Sequence, residues 1–286
     1  MEMKKRMYWS LAMGCAMMAL FGCSSQQSGT QAPESSVQES TQDSGSSETQ
    51  TDGETIKVGV LWSATGDTGG RGVFQKEAME MAAQEINESG GILGKQLELV
   101  FEDDASDQTT SINMMNKMVT NDEIVAVFGP HTSTNAMAVS DIVKEAGMPY
   151  FTGGTSSKLK GLDNEYMFKV RCNDDLVVQA AMNYAVNQLG AKKIGILYIN
   201  DEFGVGGRDI MVQYCEDQGL EYVEANHNST DQDLTSQIMQ MKQAEVDVLI
   251  GWSSNVCPIL ARQTTELGFD KPIIMNAAFA GQDVLD

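Results

Sequence analysis

Ile56-Lys57-Val58-Gly59-Val60-Leu61 opens the pattern that decides the fold. It is a short, nearly continuous run of β-branched and apolar residues, the signature of a strand buried on both sides. The Gly-rich turn from Gly66 to Gly72 follows it. Phe74, Ala78, Met81, Ala82 and Ile86 then recur at i, i+4, i+7, i+8 and i+12, which predicts an amphipathic helix with that set as its apolar face. The same beat of strand, turn and helix repeats along the chain. Further strands are expected at Gln96 to Phe101, Ile124 to Phe128, Tyr150 to Thr152, Lys193 to Ile199, Glu221 to Glu224, Asp247 to Ile250 and Pro272 to Met275. Helices are expected from about Gln108 to Thr120, Ser133 to Glu145, Leu176 to Leu189, Gly207 to Gln218, Leu234 to Gln243 and Pro258 to Leu267. Such alternation implies an α/β fold with parallel sheets flanked by helices on both faces.

The beat lapses once. Between Phe151 and Arg171 there is only a Gly/Ser/Lys loop and the short run Tyr166 to Val170, and the pattern restarts at Asp174. This predicts two α/β lobes, residues 55–171 and 172–286, each a plausible domain in size. Ligand sites in such sheets lie at the carboxyl ends of the strands, so two lobes present a cleft between facing loops.

Upstream, the basic cluster Lys4-Lys5-Arg6, the apolar run Tyr8 to Phe21 and the ending Leu20-Phe21-Gly22-Cys23 read as a secretory signal peptide over residues 1–22. The apolar run is too short to span a bilayer, which needs about 20 residues. Its ending resembles the bacterial lipobox, which implies cleavage before Cys23 and lipid on its thiol. Residues 24–54 hold nine Ser, six Gln, four Thr and six acids. With Cys23 they form a polar linker of residues 23–54 that cannot bury enough apolar surface to fold.

The whole chain has 286 residues, 19 Lys and Arg against 40 Asp and Glu, and a net charge of -21. Setting aside the leader, with three bases and one acid, and the linker, with six acids, leaves -17 on the part from Thr55 onward. Nucleic acid and an anionic membrane surface are repelled by such a body, so anchoring falls to the lipid. Five Cys without a C-x-x-C pair and two distant His, His131 and His227, give no zinc pattern and no disulfide framework.

Two loops carry candidate chemistry. Gly129-Pro130-His131-Thr132-Ser133-Thr134 follows a strand and opens a helix, where free N–H groups and the helix dipole favour a carboxylate. Plain N-capping by Thr132 or Ser133 accounts for the same residues equally well. Thr152-Gly153-Gly154-Thr155-Ser156-Ser157 follows the next strand, and an exposed carbonyl beside Ser156 suits an ammonium group. Together the loops suggest a receptor for a zwitterion, against the alternative of an interlobe linker. The turn at Gly66 to Gly72 lacks both G-x-G-x-x-G and the Gly-Lys-Ser/Thr ending of a phosphate loop. The acids Glu102, Asp103, Asp104 and Asp107 lack calcium-loop spacing and read as a solvated turn with a helix cap. No catalytic set forms, and no cofactor or metal is expected.

Ile56-Lys57-Val58-Gly59-Val60, Thr65-Gly66, Ala82-Ala83-Gln84-Glu85-Ile86-Asn87 with Gly90-Gly91-Ile92-Leu93-Gly94-Lys95, and Asp103-Asp104-Ala105-Ser106-Asp107 resemble the branched-chain amino-acid (Leu/Ile/Val) binding proteins of ABC importers. The resemblance implies the two-lobed type I periplasmic binding fold, closing on a hinge over a small ligand and presenting the closed form to a permease. It implies that Ser133 holds the ligand carboxylate, that the Gly154 carbonyl meets its ammonium, and that Thr155 and Ser156 stand beside it. It places Asp175 (or its neighbour Asp174) close to the cleft, and Phe203 against the ligand from the second lobe. Two departures bear on the ligand: no acid occurs around Asn276-Ala277-Ala278-Phe279, and Arg71 stands where the family often has an aromatic residue, which favours a more acidic ligand. The chain also stops soon after the Pro272 to Met275 strand where the family continues, so the second lobe is expected to be incomplete. The expected role is non-enzymatic: a lipid-anchored, extracytoplasmic amino-acid receptor serving a permease and its ATPase. A sensor of the same fold without transport, and an enzyme using Asp174 or Asp175 as base, are the alternatives.

Overall fold

A computed structural model describes residues 55–280; the leader, Cys23 and the linker lie outside the described residues. Strands β1 (Thr55–Trp62), β2 (Gln96–Asp103), β3 (Ile124–Phe128), β4 (Tyr150–Thr152) and β5 (Met167–Lys169) form a parallel sheet ordered β2-β1-β3-β4-β5. Strands β6 (Lys193–Ile199), β7 (Glu221–His227), β8 (Val248–Trp252) and β9 (Ile273–Met275) form a second, ordered β7-β6-β8-β9. Helices α1 (Gly69–Glu88), α2 (Gln108–Val119), α3 (Ser133–Ala146), α4 (Asp174–Asn187), α5 (Glu202–Gln218), α6 (Thr235–Gln243) and α7 (Cys257–Glu266) alternate with the strands. The interruption in the beat holds a short 3-10 turn, Ser157–Gly161, and β5, which closes the edge of the first sheet. No described helix is long and apolar enough to cross a membrane.

In both sheets the order reverses beside the first strand, between β1 and β3 and between β6 and β8. Loops leaving such a switch point diverge to opposite faces and open a crevice at the carboxyl ends. The second sheet is covered on both faces. Ile194, Ile196, Val248, Ile250 and Trp252 pack under α4 and α5, while Leu197 and Leu249 pack with Leu234, Ile238 and Leu260 from the α6 and α7 side.

The first sheet is flanked on both faces but unevenly, by α2 and α3 on one and by α1 on the other. One face packs Val127 and Tyr150 against Met115, Met118 and Val139 of α2 and α3. On the other, Phe128, Phe151 and Phe168 stack in a ladder with centroids 4.7 and 5.2 Å apart, and Phe168 is 49% exposed. The α1 expectation is corrected: Phe74 is 72% and Met81 61% exposed, whereas Gly72 and Ala83 are buried. The helix approaches the sheet through its smallest residues; a Cβ on Gly72 would lie 1.9 Å from the Ser63 carbonyl oxygen. Periodicity shows that a helix has one apolar stripe, and only packing shows what that stripe meets.

Candidate functional site

The end of β1 and the acids after β2 build the floor of the first switch point. Asp104, expected in a solvated turn, is fully buried. It accepts hydrogen bonds from Ser63 Oγ (2.6 Å), Ser106 N (2.9 Å), Asn135 Nδ2 (3.1 Å) and Ser111 Oγ (3.3 Å), tying β1, the turn after β2, α2 and α3 together. Asp103 braces the loop after β1 by accepting from Ala64 N (2.8 Å) and Thr65 Oγ1 (2.7 Å), and Asp107 caps α2 by accepting from Thr110 N (2.8 Å). Three of the four acids are thus architectural, which accounts for them without an ion.

Above this floor, Thr132 is the N-cap of α3, accepting from Asn135 N at 3.3 Å. Capping is therefore assigned to Thr132, and Ser133 does something else. The residue is 2% exposed, and its Oγ accepts from the backbone N–H groups of Thr155 and Ser156, both at 3.1 Å. A hydroxyl has two lone pairs and one proton; with both lone pairs occupied, Ser133 is left as a donor. The two loops are therefore one unit. Gly154 lies directly against it, since a Cβ there would come within 3.2 Å of Ser133 Cα, and its carbonyl accepts no hydrogen bond from the described residues. The neighbouring carbonyls of Thr155 and Ser156 are both taken by Lys169 Nζ, at 3.2 and 3.0 Å. Ser156 itself is fully buried, with Oγ accepting from Lys158 N at 3.3 Å.

Between the two acids at the start of α4 the structure discriminates. Asp175 faces outward, bound to Lys160 and to Asn173 Nδ2 (2.6 Å). Asp174 is 3% exposed, donates its backbone N–H to the Thr155 carbonyl (3.0 Å), and has an Oδ2 with no hydrogen-bond partner. Burial raises its pKa to about 6, against the Thr155 side chain, Lys169 and Arg171, which lower it. Asp174→Asn checks this directly. A folded pKa above the unfolded value means that wild type loses stability as pH rises from about 4 to about 6, and asparagine carries no such loss. The variant is expected to match wild type near pH 4 and to exceed it by about 2 kcal/mol above pH 7, read as Tm across that range. A difference that stays flat with pH would refute the assignment.

The second sheet contributes from above. Asp201 caps α5 by accepting from Gly204 N (2.8 Å), so the helix starts at Glu202, earlier than periodicity suggests. Gly204, Gly206 and Gly207 hide that first turn from pattern reading, and each is needed for close approach. A Cβ on Gly206 would lie 2.7 Å from Ser156 Oγ, and one on Gly207 2.2 Å from Trp252 Nε1. Phe203 stacks on Trp252 (centroids 5.6 Å) and packs against the second core. Across the seam Glu202 N donates to Thr134 Oγ1 (3.3 Å), Lys158 pairs with Glu202 (3.0 Å), and Arg71 donates to the Ser254 carbonyl.

Ser133, Gly154, Thr155 and Ser156 thus come together, Asp174 joins through Thr155, and the first turn of α5 covers Ser156. Asp175 and Phe203 point to other partners. Sequence reading missed Lys169, which gave no signal beyond an isolated lysine in a short run. Two surface grooves lie elsewhere, one of about 540 Å³ by Glu80, Asn87 and Phe101 and one of about 350 Å³ by Lys158, Asp209 and Tyr214. Neither contains Ser133.

A family model described as periplasmic binding protein matches residues 55–286. The Leu/Ile/Val-binding protein homolog 7 of Brucella melitensis is 26% identical over 236 residues, covering 79% of this chain and 59% of its own length. The leucine-, isoleucine-, valine-, threonine-, and alanine-binding protein of Pseudomonas aeruginosa is 28% identical over 220 residues, 76% of this chain and 59% of its own. The branched-chain amino acid transporter substrate-binding protein LivJ of Streptococcus pneumoniae, solved with isoleucine, superposes with a TM-score of 0.72 at 27% identity, covering 81% of this chain and 68% of that one. The chain spans about three fifths of the length of the curated relatives it matches.

Proposed function

The chain belongs to the periplasmic binding protein family, and from that premise we propose that it is the solute receptor of an ABC importer, capturing a small amino acid between two lobes, residues 55–171 and 172–286. The observation that carries this reading is the set of unmet groups around Ser133. Its hydroxyl proton suits a carboxylate, and the Gly154 carbonyl and the unpartnered Asp174 Oδ2 suit an ammonium. An α-amino acid presents both charged groups on one carbon. The relatives support the same class, since two are named for Leu, Ile and Val and one was solved with isoleucine.

In this reading ligand enters when the first turn of α5 lifts from Ser156, with the crossing at residues 170–173 as hinge, and closure restores the Thr134 and Lys158 contacts. Asp174 replaces Asp175 as the acid beside the ligand, and Phe203 acts through Trp252 as a support for α5. A signal peptide removed before Cys23 and lipid on that thiol hold the receptor on the extracytoplasmic face of a bacterial membrane, where permease and ATPase subunits receive the ligand. The chemistry asked of the site is recognition, so no residue is assigned a catalytic role.

The test is thermal melting of the full chain in mild detergent with and without a panel of amino acids. A ligand at about 1,000 times its Kd is expected to stabilise the fold by roughly 4 kcal/mol. Ser133→Ala is expected to weaken that ligand by about 1–3 kcal/mol, and to cost stability too, because two backbone N–H groups lose their acceptor. A ligand that binds Ser133→Ala as tightly as wild type would remove Ser133 from the site. No shift with any amino acid would overturn the reading.

A further inference from the structure

Among the described residues, Arg71 and Arg171 have no carboxylate partner, on a protein with twice as many acids as bases. At the same seam Lys158 pairs with Glu202 and Lys160 with Asp175. Among the described residues, by contrast, Arg71 reaches only the Ser254 carbonyl and Arg171 only the Gly153 carbonyl, at 3.4 Å. Both guanidinium charges act on the His131 ring. On one side Gly153 backs onto His131, since a Cβ there would come within 3.2 Å of His131 Cα. On the other, Gly72 abuts the Ser63 carbonyl and a Cβ on Gly129 would lie 1.8 Å from the Leu61 carbonyl oxygen, so the start of α1 and the β3–α3 loop share the end of β1. His131 Nδ1 is buried with no hydrogen-bond partner. Burial holds the ring neutral, with a pKa near 4; Asp104 opposes this, and both guanidiniums add to it.

Arg71, half-buried and turned to a single carbonyl, is under-satisfied, because a guanidinium has five donors in a planar fork suited to a carboxylate, and Arg171, exposed beside Gly153, keeps its fork open to an acceptor. The groups around Ser133 account for the α-carboxylate and ammonium of an amino acid, and Arg71, His131 and Arg171 remain beyond them at the same sheet edge. We propose that the preferred ligand is an acidic amino acid, whose side-chain carboxylate is held by Arg71 and Arg171 with His131 Nδ1 as a further donor. This rests on the amino-acid reading above and names its substrate class. Arg71 then exchanges the Ser254 carbonyl for a charged acceptor, a stronger hydrogen bond, and becomes the residue that sets specificity.

Calorimetric titration of the full chain with glutamate, aspartate, leucine and isoleucine tests this, using wild type, Arg71→Gln and Arg71→Lys. Glutamate or aspartate is expected to bind wild type most tightly. Arg71→Gln should lose roughly 10- to 100-fold for that acid with leucine and isoleucine unchanged or improved, and Arg71→Lys should lose less. Tighter binding of leucine or isoleucine than of either acid to wild type would overturn the proposal while leaving the amino-acid reading intact. An equal loss for every ligand in Arg71→Gln would also overturn it, reducing Arg71 to a latch on Ser254. Binding of none of the four would overturn the proposal, and the amino-acid reading falls with it only if the wider amino-acid panel also gives no thermal shift.

Discussion

Asp104→Ala is expected to lower the stability of the chain by about 3–5 kcal/mol, read as the midpoint shift in urea unfolding at constant m. The carboxylate is fully buried and is the common acceptor for Ser63 Oγ, Ser111 Oγ, Asn135 Nδ2 and the Ser106 N–H. Alanine removes the acceptor and leaves four donors that burial prevents water from reaching, each costing about 1–3 kcal/mol less whatever relaxation recovers. Because those donors belong to the β1 end, α2, α3 and the turn after β2, the loss also loosens the loop that carries His131 and Ser133. Ligand affinity is therefore expected to fall with stability. Asp104→Asn keeps one oxygen and should fall between the two. A loss below about 1 kcal/mol in the alanine variant would show that the four donors find other acceptors, and that the hub does not hold the site.

Trp252→Ala should be comparably damaging, costing about 3–5 kcal/mol in the same measurement, because it removes the largest fully buried side chain of the second core. The indole stacks on Phe203 and fills the space that Gly207 leaves open at the first turn of α5. That turn carries Glu202 and Gly206 to Thr134 and Ser156, so the cavity left by alanine loosens the element that closes over the site. Trp252→Phe separates packing from hydrogen bonding. It keeps an aromatic stack and deletes an Nε1–H that is buried without a partner, so its cost is expected to stay below about 1.5 kcal/mol. A phenylalanine variant as unstable as the alanine one would mean that the stack is not what holds α5.

Much of the architecture could be read from residue order. The bounds of β3, β4 and β6 coincide with the runs that suggested them, because each run stops abruptly at its turn residue, Gly129, Gly153 and Asn200. The start of α5 was legible only through Asp201, since three glycines in its first two turns erase the helical period while permitting the packing that needs them. The stripe Phe74 to Ile86 announced a helix correctly and its orientation wrongly, because one-dimensional spacing carries no information about which neighbour arrives.

The site divides in the same way. The family signature and the two polar loops placed Ser133, Gly154 and Ser156 at one strand edge by sequence alone, since adjacent parallel strands must bring their following loops together. Spacing could not say that Ser133 spends both lone pairs on Thr155 and Ser156, that Lys169 takes their carbonyls, or that Asp174 and not Asp175 is the buried acid. Those outcomes depend on distances between segments far apart in the chain and on exclusion of water. The sequence by itself determined the strand and helix alternation and the family, because these are written in local composition and order. The tertiary structure alone decided which polar atoms are satisfied and which remain open, because a hydrogen bond is made or missed by tenths of an ångström.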